Sequence, residues 1–206
     1  MPLRTVSIIY NIPYVTLWRW CRTISRVLAN TFEQVLETAR IRIVDTTSTR
    51  IRTTDPRYYT SYKKQRVVKA QVICDEGGHI HSISNPYAGS VHDKVIWNNE
   101  WPSIGQVSLI LADKAYVGPT GERSVLFRPI KKNEGQWKRN PVRAKAWNKQ
   151  LSKRRVKIEH VFAHLKTWRI IHHYFPQSPD TYSTVLKAIA FIYNLKLKGN
   201  FETSQQ

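Results

Sequence analysis

Apolar residues recur at helical spacing through residues 141–168, where Trp147, Leu151, Ile158, Phe162 and Leu165 share one face of a 3.6-residue period. The pattern predicts one long amphipathic helix whose remaining surface is basic, with Glu159 as its single acid. Upstream the period shortens to two. Residues 41–51 alternate, so that Ile41, Ile43, Asp45, Thr47 and Thr49 share a parity and Asp45 falls on a face with buried aliphatics. A second strand is expected over 66–75, a hairpin turn at Asp75-Glu76-Gly77-Gly78, and a third strand over 79–84. Helix then follows, with Ser90 as N-cap and Asp93 three residues on. The apolar run 107–113, ending at Asp113, suits a strand buried on both faces. Residues 124–132 read as a fifth strand and 131–140 as a loop. A last helix over 181–197 turns Val185, Ile189, Ile192 and Leu195 inward. The result is an α/β chain with a mixed five-stranded sheet flanked by helices.

The N-terminal stretch has a helix–turn–helix pattern. Asn11 takes the turn, where positive φ is tolerated, and Pro13 suits the start of the next helix. That helix is expected to bury Leu17, Trp20, Cys21, Ile24 and Leu28 and to present Arg19, Arg22 and Arg26 outward, as a recognition helix would. An ordinary helical hairpin packed on the next domain fits the same pattern. The motif begins almost at Met1, so a leading helix has no residues to form it and the unit is expected to be truncated. Thr31 and Gln34 have capping-box spacing and predict a short connecting helix carrying Phe32, Val35, Leu36 and Ala39. This divides the chain into a DNA-binding segment at 1–40, a main domain at 41–199 and a tail at 200–206.

Composition narrows the partners. Lys and Arg number 33 against 14 Asp and Glu, a formal charge of +19 over 206 residues. That excess calls for a polyanion, and nucleic acid leads because neutralised phosphates release counterions. No long apolar run, signal-peptide pattern or lipidation motif points to a membrane. Cys21 and Cys74 lack CxxC spacing and read as reduced core residues of an intracellular protein.

Three acids stand where chemistry could gather: Asp45 ends the first strand, Asp113 ends the fourth, and Glu159 lies within the long helix. Carboxyl ends of parallel neighbouring strands can face one crevice, and a helix crossing the sheet can lower a third carboxylate into it. Such a set suits Mg2+, which supports in-line phosphoryl displacement. The plainer reading of Glu159 is an i,i+4 ion pair with Arg155. Asp93 could cap its helix or approach the metal. His92 and His160 could orient carboxylates or be ordinary packed or surface residues. Lys131, Lys132, Lys138 and Arg139 form either a solvated loop or a DNA contact, and Asp75 and Glu76 read as solvated turn acids.

The blocks Val44-Asp45-Thr46-Thr47, Gly89 to Lys94, Leu111 to Gly118 and Arg154 to His160 resemble the signature blocks of DDE transposases, in the bacterial insertion-sequence group related to Harbinger elements. The resemblance covers about residues 41–195 and includes the spacing of Arg155, Glu159 and Lys166; Ser152 departs from the Tyr common in the wider group. It implies a ribonuclease-H-like domain with Asp45, Asp113 and Glu159 as metal-binding triad and Asp93 as an auxiliary acid. It further implies Mg2+, with Mn2+ as substitute, and strand cleavage and transfer on double-stranded DNA. Terminal inverted repeats and target DNA would be held by the basic residues above together with Arg155 and Lys166. A homo-oligomer on DNA is implied too, in the nucleoid of a bacterium or the nucleus of a eukaryote. The rival expectation is a transposase-derived DNA-binding protein without catalysis. A nuclease without strand transfer would have little use for the N-terminal segment.

Overall fold

Strand β1 (Ile41–Arg50) is the axis of the sheet. Its alternation buries Ile43 on one face and Val44 on the other, so both faces need cover. The computed structural model of the chain describes residues 2–34, 41–61, 63–100, 109–116 and 125–203. β1 pairs antiparallel with β3 (Gln65–Asp75) and parallel with β6 (Leu109–Leu111), and β7 (Val125–Phe127) lies parallel beyond β6. Three shorter strands pair antiparallel with β3: β2 (Tyr59–Thr60), β4 (Ile80–Ile83) and β5 (Tyr87–Ala88). Among the described residues the mixed sheet therefore has seven strands where the pattern predicts five. The five expected strands are present, and β2 and β5 are two-residue additions that exist through pairing with β3.

One face packs on α5 (Pro141–Leu165) and α7 (Tyr182–Thr203). There Val68, Ala70 and Val72 meet Leu151, Ile158 and Leu165 of α5 and Val185, Leu186 and Ile189 of α7. Trp147 and Phe162 pack at the margin of this core, so the predicted apolar face of the long helix is the one that faces the sheet. The Asn140 side chain accepts from the Arg143 N–H at 3.0 Å and Pro141 follows at the first position, which starts α5 sharply. The opposite face of the sheet carries α3 (Asp93–Glu100), whose Trp97 packs with Val44, Ile73, Ile110 and Tyr116. At the β3–β4 turn Gly78 adopts φ +93°, a conformation that favours glycine. Buried Asn194 of α7 accepts from Ile80 N–H and donates to Ile80 O, which ties α7 to β4.

Several expectations are corrected. α1 (Leu3–Tyr10) and α2 (Tyr14–Gln34) flank a turn in which Asn11 has φ 50°, as the pattern required. α2 does not stop before Thr31, however; the Thr31 hydroxyl donates back to Val27 O inside a continuous helix instead of capping a new one. α2 packs on α7 through its Leu17, Ala29 and Phe32 side. Trp20, Cys21 and Ile24 are exposed rather than buried, because no described element covers their side. Val35, Leu36 and Ala39 of the expected connecting helix lie outside the described residues. Cys74 is a core residue, its thiol pushed up to about 12 by burial.

A short helix, α4 (Gly135–Arg139), forms where loop was expected, and another, α6 (Arg169–His172), follows the long helix. α7 continues into the stretch expected as tail, and Leu195 on it is exposed.

Candidate active site

Parallel pairing of β1 and β6 sets the site. The last paired residues are Ile43 and Leu111, and two positions on from each comes an aspartate, Asp45 and Asp113. The chain leaves β6 while still held, since Ala112 N–H donates to Phe127 O at 2.9 Å. Both carboxylates receive the same guanidinium: Arg155 of α5 donates from Nη2 to Asp45 Oδ2 at 3.1 Å and from Nη1 to Asp113 Oδ1 at 3.2 Å. The Arg155 side chain is 14% exposed, against 24% for Asp45 and 44% for Asp113, so the pair opens to solvent on the Asp113 side. Burial pushes the Asp45 carboxyl above its usual range, in opposition to the Thr46 N–H at 2.8 Å and the Arg155 charge.

Glu159 makes neither the ion pair with Arg155 nor a contact with the two aspartates among the described residues. It lies one turn beyond Arg155 on the same row of α5, since residues four apart on a helix are neighbours, but its side chain is exposed. Among the described residues it makes no ion pair with Arg155, whose partners are the two aspartates. No group of three His, Cys, Asp or Glu among the described residues is placed to hold a metal ion. The structure thus brings Asp45 and Asp113 together and leaves Glu159 outside.

Asp93 begins α3 and accepts from Lys69 Nζ at 2.9 Å. Its negative charge is among the influences that raise the Asp45 carboxyl. Ser90 is not the cap of this helix: its hydroxyl donates to Arg57 O at 2.6 Å, and the helix starts three residues later. Beneath the acids lies Tyr116, fully buried, with its hydroxyl without a partner among the described residues. Burial, then the charges of Asp45 and Asp93, push that hydroxyl well above its ordinary value. Lys69 and Tyr116 were missed from sequence. Lys69 sits on the polar parity of a strand whose Val68 and Ala70 are core, and Tyr116 comes three residues after Asp113; both spacings were readable.

Apart from Arg155, the expected basic residues make no hydrogen bond or ion pair with Asp45 or Asp113 among the described residues. Lys132, Lys138 and Arg139 are exposed around α4, and Lys131 and Lys166 are half-buried. On α2, Arg19 and Arg26 are exposed, while Arg22 stacks over Trp18 at 4.7 Å from the ring centroid. Arg155 is engaged with carboxylates, not free for an external ligand. His92 and His160 are exposed. Asp75 is not a solvated turn acid: it accepts from His79 N–H at 2.9 Å and pairs with His81 Nε2 at 3.1 Å. Glu76 makes an exposed pair with Arg154 at 3.6 Å.

Two carboxylates on one cation position, open to solvent on the Asp113 side, are a hard, all-oxygen donor set. Asp45 and Asp113 fit a divalent cation of the Mg2+ type, which is commonly held by one or two carboxylates. A family model described as DDE superfamily endonuclease matches residues 44–194, and the chain belongs to this family. It is also similar to a probable transposase for insertion sequence element IS702 from Microchaete diplosiphon, 28% identical over 109 residues. That alignment takes in 53% of this chain and 39% of the relative. No solved structure gives a significant match. No helix among the described residues is long and apolar enough to cross a membrane.

Proposed function

We propose that the chain is a transposase whose sheet is ribonuclease-H-like and which cleaves and joins DNA strands at transposon ends, with Mg2+ as its cation and Mn2+ as substitute. The observation that carries this reading is the sharing of one cation position by Asp45, which lies inside β1 just past its parallel pairing with β6 and not at the end of the strand as expected, and Asp113, just past β6. The strand order β2-β3-β1-β6-β7, antiparallel on one side of β1 and parallel on the other, supports the fold assignment. A cation held by these carboxylates supplies Lewis acidity to a phosphoryl oxygen and a nucleophilic oxygen at neutral pH. Asp45 holds its position through the Thr46 N–H, and Asp113 leaves the open side for the scissile phosphate. Glu159, on the Arg155 row, would be the third ligand in this reading, which requires its exposed side chain to turn inward.

Duplex DNA, as terminal repeats and as target, would lie on the basic surface formed by Lys131, Lys132, Lys138, Arg139 and Lys166. The α1–α2 hairpin acts as the helix–turn–helix, with Arg19, Arg22 and Arg26 toward phosphates, and copies of the chain assemble on the DNA. A second reading, a transposase-derived DNA-binding protein without catalysis, is favoured by one observation, the exposed Glu159. The test uses a duplex built from an inverted repeat identified in the DNA on either side of the gene. Cleavage at the repeat end in Mg2+ that chelation abolishes supports the enzyme; binding without cleavage in either Mg2+ or Mn2+ supports the second reading.

A further inference from the structure

Arg155 stands where the cation would stand. Its two terminal nitrogens each take one aspartate, and its Nε, buried, has no hydrogen-bond partner among the described residues. A guanidinium has five donors in a fixed fork, and this arrangement leaves part of the fork unused. The two contacts, at 3.1 and 3.2 Å, are longer than the roughly 2.7–2.9 Å usual for charge-assisted pairs. They come from two different carboxylates rather than a bidentate grip on one.

Charge then decides what can happen. Two carboxylates and one guanidinium carry a single net negative charge. A divalent cation added beside an unmoved Arg155 would leave the two aspartates with net positive charge, or with none once Glu159 joins them, and in either case the two cations would compete for the same carboxylate oxygens and repel at close range. The conflict is removed if Arg155 turns away from the aspartates toward an arriving phosphodiester. That anion balances the charge, offers oxygens to the cation and satisfies the planar fork. The neighbouring cation Lys69 cannot substitute, because it is already taken by Asp93.

We propose that Arg155 is a positioning residue that couples cation loading to DNA: it holds the aspartates closed without DNA and releases them to the cation when a phosphate draws it away. This rests on the reading of Asp45 and Asp113 as the cation site. Linkage makes the coupling reciprocal, so DNA raises cation affinity by the factor by which the cation raises DNA affinity.

The test is Mn2+ titration of the full chain by calorimetry and by electron paramagnetic resonance, with and without a duplex oligonucleotide. The unmodified chain, Arg155→Gln, Arg155→Lys and Asp45→Asn are compared, with circular dichroism to verify folding. Without DNA, Arg155→Gln is expected to bind Mn2+ at least about tenfold more tightly than the unmodified chain, within the range of ordinary coupling factors. Duplex should tighten Mn2+ binding by the unmodified chain and by Arg155→Lys, and by Arg155→Gln much less. DNA oligomers bring phosphate ligands of their own, so the difference between the two gains is the decisive quantity.

Equal gains, or Mn2+ binding by Arg155→Gln no tighter than by the unmodified chain, would overturn the coupling. The cation-site reading would stand in that case if Asp45→Asn still abolished binding. Binding absent from every form, with and without DNA, overturns both. Should Arg155→Gln not fold, an Mn2+ affinity of the unmodified chain indifferent to duplex overturns the proposal by itself.

Discussion

Asp113 lies beside Asp45 because β6 and β1 are parallel neighbours whose last paired residues, Leu111 and Ile43, each stop two positions short of an aspartate. The juxtaposition is therefore a matter of register, and a one-residue slip in a strand carries every side chain to the other face. Inserting one alanine between Leu111 and Ala112 should leave the far-ultraviolet circular dichroism of the sheet in place. It should abolish the Mn2+ binding measured by calorimetry in the presence of duplex. Undiminished binding in the insertion variant would contradict the register argument.

Ile158 and Glu159 are adjacent in sequence and opposite in consequence. Ile158 is fully buried between α5 and the sheet, while Glu159 is exposed. Ile158→Ala should cost about 2–5 kcal/mol through lost burial and the cavity left behind. Glu159→Gln should change stability by no more than about 0.5 kcal/mol. Urea denaturation of the two variants makes the comparison, and similar midpoints would show that α5 does not pack as described.

The sheet and the aspartate pair were legible because both depend on local pattern. Alternation at Ile41 to Thr49 marked β1, and an apolar run ending in Asp113 marked β6. Periodicity says which residues share a face but not whether another element covers that face. Hence Trp20 and Ile24 on α2, and Leu195 on α7, were assigned to a core that does not reach them. β2 and β5 have two residues each and no pattern of their own; β3 supplies their order. The role of Arg155 was illegible for a different reason. Spacing offers Glu159 as its partner four residues on, whereas its partners are set by the packing of α5 across two strands.

Asp75 gives a pH test independent of the aspartate pair. Burial alone would raise its carboxyl, but the hydrogen bonds from His81 and the His79 N–H outweigh burial and hold it below its ordinary value. A depressed folded-state value contributes stability that is present above the unfolded value, near 3.8, and is lost as pH falls through the folded value. Asp75→Asn should therefore be less stable than the unmodified chain at pH 7, by about 1 kcal/mol. The gap should close below about pH 4. Urea midpoints across this range report it, and a gap that stays constant into acid would contradict the assignment.

A formal charge of +19 with exposed Arg19, Arg26, Lys132, Lys138 and Arg139 predicts binding to duplex DNA by counterion release. Affinity measured by fluorescence anisotropy should fall roughly a thousandfold or more between 50 and 200 mM salt. Affinity independent of salt would remove nucleic acid as the partner.

The most direct measurement is strand cleavage, in Mg2+, of a duplex built from an inverted repeat identified beside the gene, by the unmodified chain, Asp45→Asn and Asp113→Asn. Each substitution keeps the side-chain shape and removes a ligand charge. Cleavage should fall by orders of magnitude in both variants, because the cation carries much of the barrier reduction. Gel-shift binding of the same duplex should persist or tighten, since a negative charge facing phosphate has gone. Cleavage by either variant at the rate of the unmodified chain would contradict the account.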